Sequence, residues 1–104
     1  MSVDFCLEEL RHVDVFECNF TYNYGPMLRL AGVCDVLYDG DGKTGAEILP
    51  ILECGLATVK ANPEAYMALQ PKNGWGSYEG LLEVLESIIQ GCKDNPDAVV
   101  RISR

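Results

Sequence analysis

Polar and apolar residues alternate most clearly from Val13 to Tyr22. Phe16, Cys18, Phe20 and Tyr22 fall on one face of an extended chain, and Glu17, Asn19 and Thr21 on the other. That period of two marks a half-buried strand. Residues 3 to 7, Val-Asp-Phe-Cys-Leu, alternate more weakly and suit a shorter strand. The competing reading there is a short helix through Leu7 and Leu10, because Glu8-Glu9-Leu10-Arg11 has good helix propensity. If both segments are strands, they form an antiparallel hairpin.

Beyond Tyr22 the period lengthens to that of helices. Pro26 suits a first helical position, and Met27 to Ala31 offers apolar residues to a core before Gly32 stops the helix. Val33 to Tyr38 is apolar and fits either a continued helix or an extended run. Thr44-Gly-Ala-Glu47 is a capping box, a hydroxyl followed three residues on by a carboxylate. The helix it starts runs to about Lys60, with Ile48, Leu49, Leu52, Leu56 and Val59 as its stripe. Pro50 is awkward within it, because it removes an N–H from the ladder. Asn62-Pro63-Glu64 is a second start signal, for a short helix through Ala65, Tyr66 and Leu69 that ends before Pro71. Ser77 caps the best amphipathic helix, which reaches about Cys92. Its apolar side runs from Leu81 through Ile89 to Cys92, and Glu79, Glu83 and Glu86 mark its wet face. Ala98 to Ser103 is rich in β-branched residues and reads as a closing strand. These elements predict an α+β domain spanning residues 1–104. It has a small, mostly antiparallel sheet, from two N-terminal strands plus the C-terminal strand, with about four helices on one face.

Composition narrows the function. The chain of 104 residues is 48% hydrophobic with a mean hydropathy of +0.03, which fits a domain with one real core rather than a disordered segment. A net charge of −8 and a pI near 4.4 oppose nucleic-acid backbones and anionic membrane surfaces, both of which require clustered Lys and Arg. No apolar run approaches a membrane span, and the N-terminus lacks the basic and apolar regions of a secretory signal, so the expected setting is cytoplasmic. The cysteines, Cys6, Cys18, Cys34, Cys54 and Cys92, are odd in number and widely spaced. With a single histidine, His12, they suggest reduced thiols rather than a zinc site or a disulfide framework.

Motifs with chemistry are scarce. Asp39-Gly-Asp-Gly-Lys43 has the composition of a calcium loop, but neither register places carboxylates where such a loop requires them. The Gly-Lys-Thr ending at Gly42 lacks the upstream glycine of a phosphate loop, since Leu37 stands there. His12 has no readable triad partner. No metal and no cofactor is expected.

Four segments carry a resemblance: Thr21-Tyr-Asn-Tyr-Gly-Pro-Met27, Glu47-Ile-Leu-Pro-Ile-Leu-Glu-Cys-Gly-Leu56, Asn73-Gly-Trp-Gly-Ser-Tyr-Glu-Gly-Leu81 and the C-terminal Val-Arg-Ile-Ser-Arg. They resemble a family of small uncharacterised bacterial and phage-encoded proteins, over about residues 13 to 104. The resemblance implies a prokaryotic or viral cytosolic setting and transfers no catalytic residue. A histidine often stands in that family where this chain has Tyr22.

Two stretches can contact a ligand. Gly74 and Gly76 flank Trp75, the only tryptophan, and Ser77 leaves free N–H groups at a helix start where an anion can bind. Against this, the plainer role for Trp75 is to plug the core or cover the sheet edge, and Glu79 and Glu83 compete for the helix dipole. Tyr22 and Asn23 end a strand ahead of a helix, where a phenol and an amide can meet a small polar ligand. The plainer role for Asn23 is to cap the Pro26 helix. The candidate residues are therefore Tyr22, Asn23, Asn73, Trp75 and Ser77. Two functions compete. One is a non-enzymatic module that binds a protein partner or forms a homo-oligomer. The other is a small-molecule binder or minimal enzyme, for a nucleotide or metabolite, and it requires those two stretches to be neighbours.

Overall fold

The computed structural model describes residues 2–8, 14–70 and 76–103, with Asp14, Tyr22 and Ser103 described by their backbone alone. Strand β1 is Ser2–Glu8, β2 is Asp14–Thr21 and β3 is Val99–Ser103. They form an antiparallel sheet in the order β2-β1-β3. The expected hairpin is present, with Phe5 opposite Cys18 and Val3 opposite Phe20. The closing strand lies on the other side of β1, with Phe5 opposite Ile102. The helical alternative for the first segment loses because Val3, Phe5 and Leu7 bury completely on one face. A helix would scatter them round its circumference.

Five helices occur among the described residues: α1 (Gly25–Ala31), α2 (Cys34–Asp39), α3 (Gly45–Ala61), α4 (Pro63–Met67) and α5 (Tyr78–Asp94). The extra helix relative to the sequence reading is α2, which settles the ambiguous Val33 to Tyr38 stretch. Gly32 breaks the chain between α1 and α2 at φ +77°, and its N–H returns to the Arg29 carbonyl. Val36 and Leu37 then turn inward. The capping box of α3 is complete, with Thr44 and Glu47 each accepting from the other's backbone N–H. Pro50 stays within α3 on its exposed side, where the missing N–H leaves no buried orphan.

Two asparagines bond differently from expectation. Asn23 does not cap α1: Tyr24 holds that position, and no side chain caps it. Asn62 stands at the N-cap position of α4 with Pro63 after it, as the sequence reads, but its side chain makes no cap bond to that helix. Its amide donates to the Thr58 carbonyl at 3.0 Å and so finishes α3 instead. In both places the proline sets the helix start by itself, through its fixed φ.

One core joins the inner sheet face (Val3, Phe5, Leu7, Phe20, Val100) to side chains from all of these helices. Gly91 on α5 makes room for the Phe16 ring, since a Cβ there would sit 2.7 Å from it. That close approach seats α5 against β2. On the opposite face Ser2, Asp4, Glu17, Asn19 and Arg101 are exposed. Asn19 donates to Ser2 Oγ at 3.0 Å and to Asp4, and Arg101 pairs with Glu8 at 3.2 Å.

The Asp39–Lys43 loop has a structural task. Gly42 N–H donates to the Val100 carbonyl at 3.0 Å, and Val100 N–H donates to the Lys43 carbonyl at 2.8 Å. The Asp41 carboxylate accepts from Ile102 N–H at 2.9 Å. The loop thus straps the outer edge of β3, which would otherwise present unpaired backbone groups.

Candidate functional site

The strand end and the turn before α5 do meet. After Thr21 a 3-10 turn over Tyr22–Tyr24 carries the chain into α1, and Asn23 N–H donates to Thr21 Oγ1 at 3.2 Å. Gly76 is buried at φ +95°. A Cβ on Gly76 would lie 3.2 Å from Asn23 Cβ and 3.6 Å from Tyr24 Cδ1. One turn on, the Tyr24 hydroxyl occupies the space a Gly80 side chain would need. Asn23 and Ser77 therefore border one corner. Asn73 and Trp75 lie outside the described residues, as does the Tyr22 side chain.

The start of α5 is already satisfied by its own chain. Ser77 Oγ accepts from Gly80 N–H at 3.1 Å, as the sequence predicts. Gln70 Oε1 accepts from Tyr78 N–H at 2.7 Å. Glu79 adds a carboxylate in the first turn. Donors that would hold an anion are thus partly occupied, and the positive end of the dipole faces a negative group. No spacing rule could have revealed Gln70, because it stands eight residues before Tyr78 and not at a capping position.

Phenols line the surroundings. Burial, and then the Glu83 carboxylate, push the Tyr24 hydroxyl above its usual range. Tyr78 donates to the Val59 carbonyl at 3.2 Å. The Tyr66 hydroxyl is buried and has no partner among the described residues. Burial, and then Tyr78, raise its pKa. The corner therefore offers neutral groups, the Asn23 amide, the Tyr24 phenol and the Ser77 hydroxyl, which can hydrogen-bond a polar molecule. Among the described residues no group of three or more His, Cys, Asp or Glu stands close enough to hold a metal ion.

A second surface lies on α3. Its inner side buries Ile48, Leu52, Gly55 and Val59. Its outer side exposes Ala46, Pro50, Cys54, Ala57 and Ala61, residues that fall on one stripe at helical spacing. Ile51 flanks them and is 41% exposed. Glu47 and Glu53 border the stripe, with Lys60 near its far end. Beside it, Leu56, Ala57 and Ile89 line a shallow groove of about 250 Å³ between α3 and α5, with Lys60 and Lys93 at its sides. Both lysines are partnered, Lys60 with Glu86 at 3.4 Å and Lys93 with Glu53 at 3.9 Å. Sequence reading passed over this outer stripe, because it followed the inward residues of the same helix. The signal was the shortage of charged residues on the helix's far side.

Among the described residues no helix is long and apolar enough to cross a membrane. No protein-family model, curated protein or solved structure matches the chain.

Proposed function

We propose that this protein is a non-enzymatic interaction module whose outer α3 stripe docks a protein partner with a basic rim. One observation carries this reading: the solvent side of α3 is lined by small apolar residues that no other element covers among the described residues. Water-facing helix sides are normally polar. The carboxylates of Glu47 and Glu53 beside the stripe, and the net charge of −8, favour a partner of opposite sign. Small side chains let a partner's backbone or helix approach closely, and the apolar strip supplies the desolvated centre.

The test is affinity capture from a prokaryotic lysate, followed by purification of whatever binds and its titration. Ala57→Glu should abolish binding of the purified partner, whereas Glu83→Gln on the far side of α5 should leave it unchanged. Equal binding by wild type and Ala57→Glu sinks the proposal.

A second reading keeps the small polar ligand at the Asn23–Ser77 corner, because Asn23 and Gly76 are in contact. A thermal-shift screen of nucleotides and metabolites tests it. Asn23→Ala should remove any shift that appears.

A further inference from the structure

Of residues 61–70 only Tyr66 is buried, and all the others are exposed. The helical part of this segment, α4, is five residues long, too short to hold itself in water. Met67 and Leu69 face solvent at 45% and 37% exposure, so they bind it weakly to the core. Its anchor is the Tyr66 ring, which enters the core where α4 packs against α3 and α5. A second tie is Gln70, whose Oε1 accepts from Tyr78 N–H at the start of α5. The anchor is imperfect. The Tyr66 hydroxyl follows its ring into the core and has no partner there among the described residues. A hydroxyl buried in that way loses its bonds to water and gains none, which opposes closure of the segment.

We propose that residues 63–70 form a lid that opens as one body, with Tyr66 as its pin and Gln70 as its latch on α5. The lid turns on Asn62 and Pro63. The Asn62 amide closes the end of α3 on the Thr58 carbonyl, so α3 stays whole when the lid leaves. Opening returns the Tyr66 hydroxyl to water, which offsets part of the cost of exposing the ring. It also takes Gln70 off the Tyr78 N–H and leaves a free donor in the first turn of α5, next to Ser77. The closed lid therefore blocks a backbone group at the Asn23–Ser77 corner, and the open lid offers it. The lid does not depend on that corner holding a ligand, nor on a partner at α3, and it can fail alone.

Hydrogen exchange of single amides, followed by NMR on the full chain, reads the opening. Ala68 N–H is bonded to the Glu64 carbonyl, Leu69 N–H to that of Tyr66 and Gln70 N–H to that of Met67. These amides and that of Tyr78 should exchange about a hundredfold faster than those of Leu85 and Ile88 in the middle of α5. Tyr66→Phe keeps the ring and removes the hydroxyl. It should slow exchange at Ala68, Leu69, Gln70 and Tyr78 together, by roughly fivefold. Fraying of a short helix would pass no such change to Tyr78, which belongs to another helix. Gln70→Ala removes the latch and should speed Ala68 and Leu69 by roughly threefold. Lid amides as protected as Leu85 and Ile88 overturn the proposal. So does Tyr66→Phe if exchange is unchanged or faster, or if Tyr78 does not slow with residues 68–70. Gln70→Ala that leaves Ala68 and Leu69 unmoved overturns it as well.

Discussion

Helices α3 and α5 are each seventeen residues long, begin at a hydroxyl cap and pack against one another. Their inner sides do the same work. Ile48, Leu52 and Val59 on one, and Leu81, Leu85 and Ile88 on the other, are wholly buried. Their outer sides diverge. Every exposed position of α5 is polar: Glu79, Glu83, Glu86, Ser87, Gln90, Lys93 and Asp94. Most exposed positions of α3 are not. Folding requires the inner sides only, so the outer side of α3 reports a demand that the fold does not make. That difference is why the proposed docking surface lies on α3 rather than on α5.

The comparison can be broken first where it claims equality. Leu52→Ala and Leu81→Ala should each cost about 3 kcal/mol in urea unfolding, since each empties a fully buried site. A cost below about 1 kcal/mol for either would show that its helix is not held by its inner face. A smaller effect comes from pH. Burial pushes the Cys92 thiol from 9.0 up to about 11. The unfolded chain gives up that proton first, so stability is flat below pH 9 and falls as pH rises toward 11. The expected loss is about 2–3 kcal/mol. Cys18 and Tyr24, also raised by burial, act in the same direction. Unfolding of Cys92→Ala should show a visibly flatter alkaline limb.

The caps come next. Thr44→Ala removes the Oγ1 acceptor of Glu47 N–H, while the backbone N–H at position 44 can still donate to Glu47, and should cost about 1 kcal/mol. Ser77→Ala should cost less, because Gln70 still holds Tyr78 N–H at the start of α5. The reverse order, measured by thermal melting, would mean that Gln70 contributes little. The smallest effects sharpen the contrast. Ala57→Glu and Glu83→Gln should each change stability by no more than about 0.5 kcal/mol. A large loss for Ala57→Glu would make the outer stripe of α3 part of the fold after all.

How much of this was legible depends on how local the cause is. The β2 strand, the Thr44 box and the Ser77 cap follow from spacing within a few residues, and the structure has each of them. The placement of the last strand beside the first followed from its composition and the demand of the sheet for a neighbour. Asn62 holds the N-cap position of α4 that its place ahead of Pro63 predicts, but position did not fix where its side chain bonds. Here its amide turns back to Thr58, a choice made by the end of α3. The strap role of Asp41 and the Gln70 contact with Tyr78 were invisible, since each joins residues that only the finished fold brings together. At the candidate corner, the contact between Asn23 and Gly76 was required by one hypothesis and is present, while Asn73 and Trp75 lie outside the described residues.

The order β2-β1-β3 has a consequence for how the chain comes to be folded. The central strand is synthesised first and gains one neighbour at once, through the hairpin. Its other neighbour is β3, and the whole helical layer is made before it. Until then the second edge of β1, carrying Phe5 and Leu7, waits without its partner. Closure is therefore a late, long-range event of the kind that slows folding. The vulnerable interval for misassociation is the time between the hairpin and the arrival of Val99–Ser103.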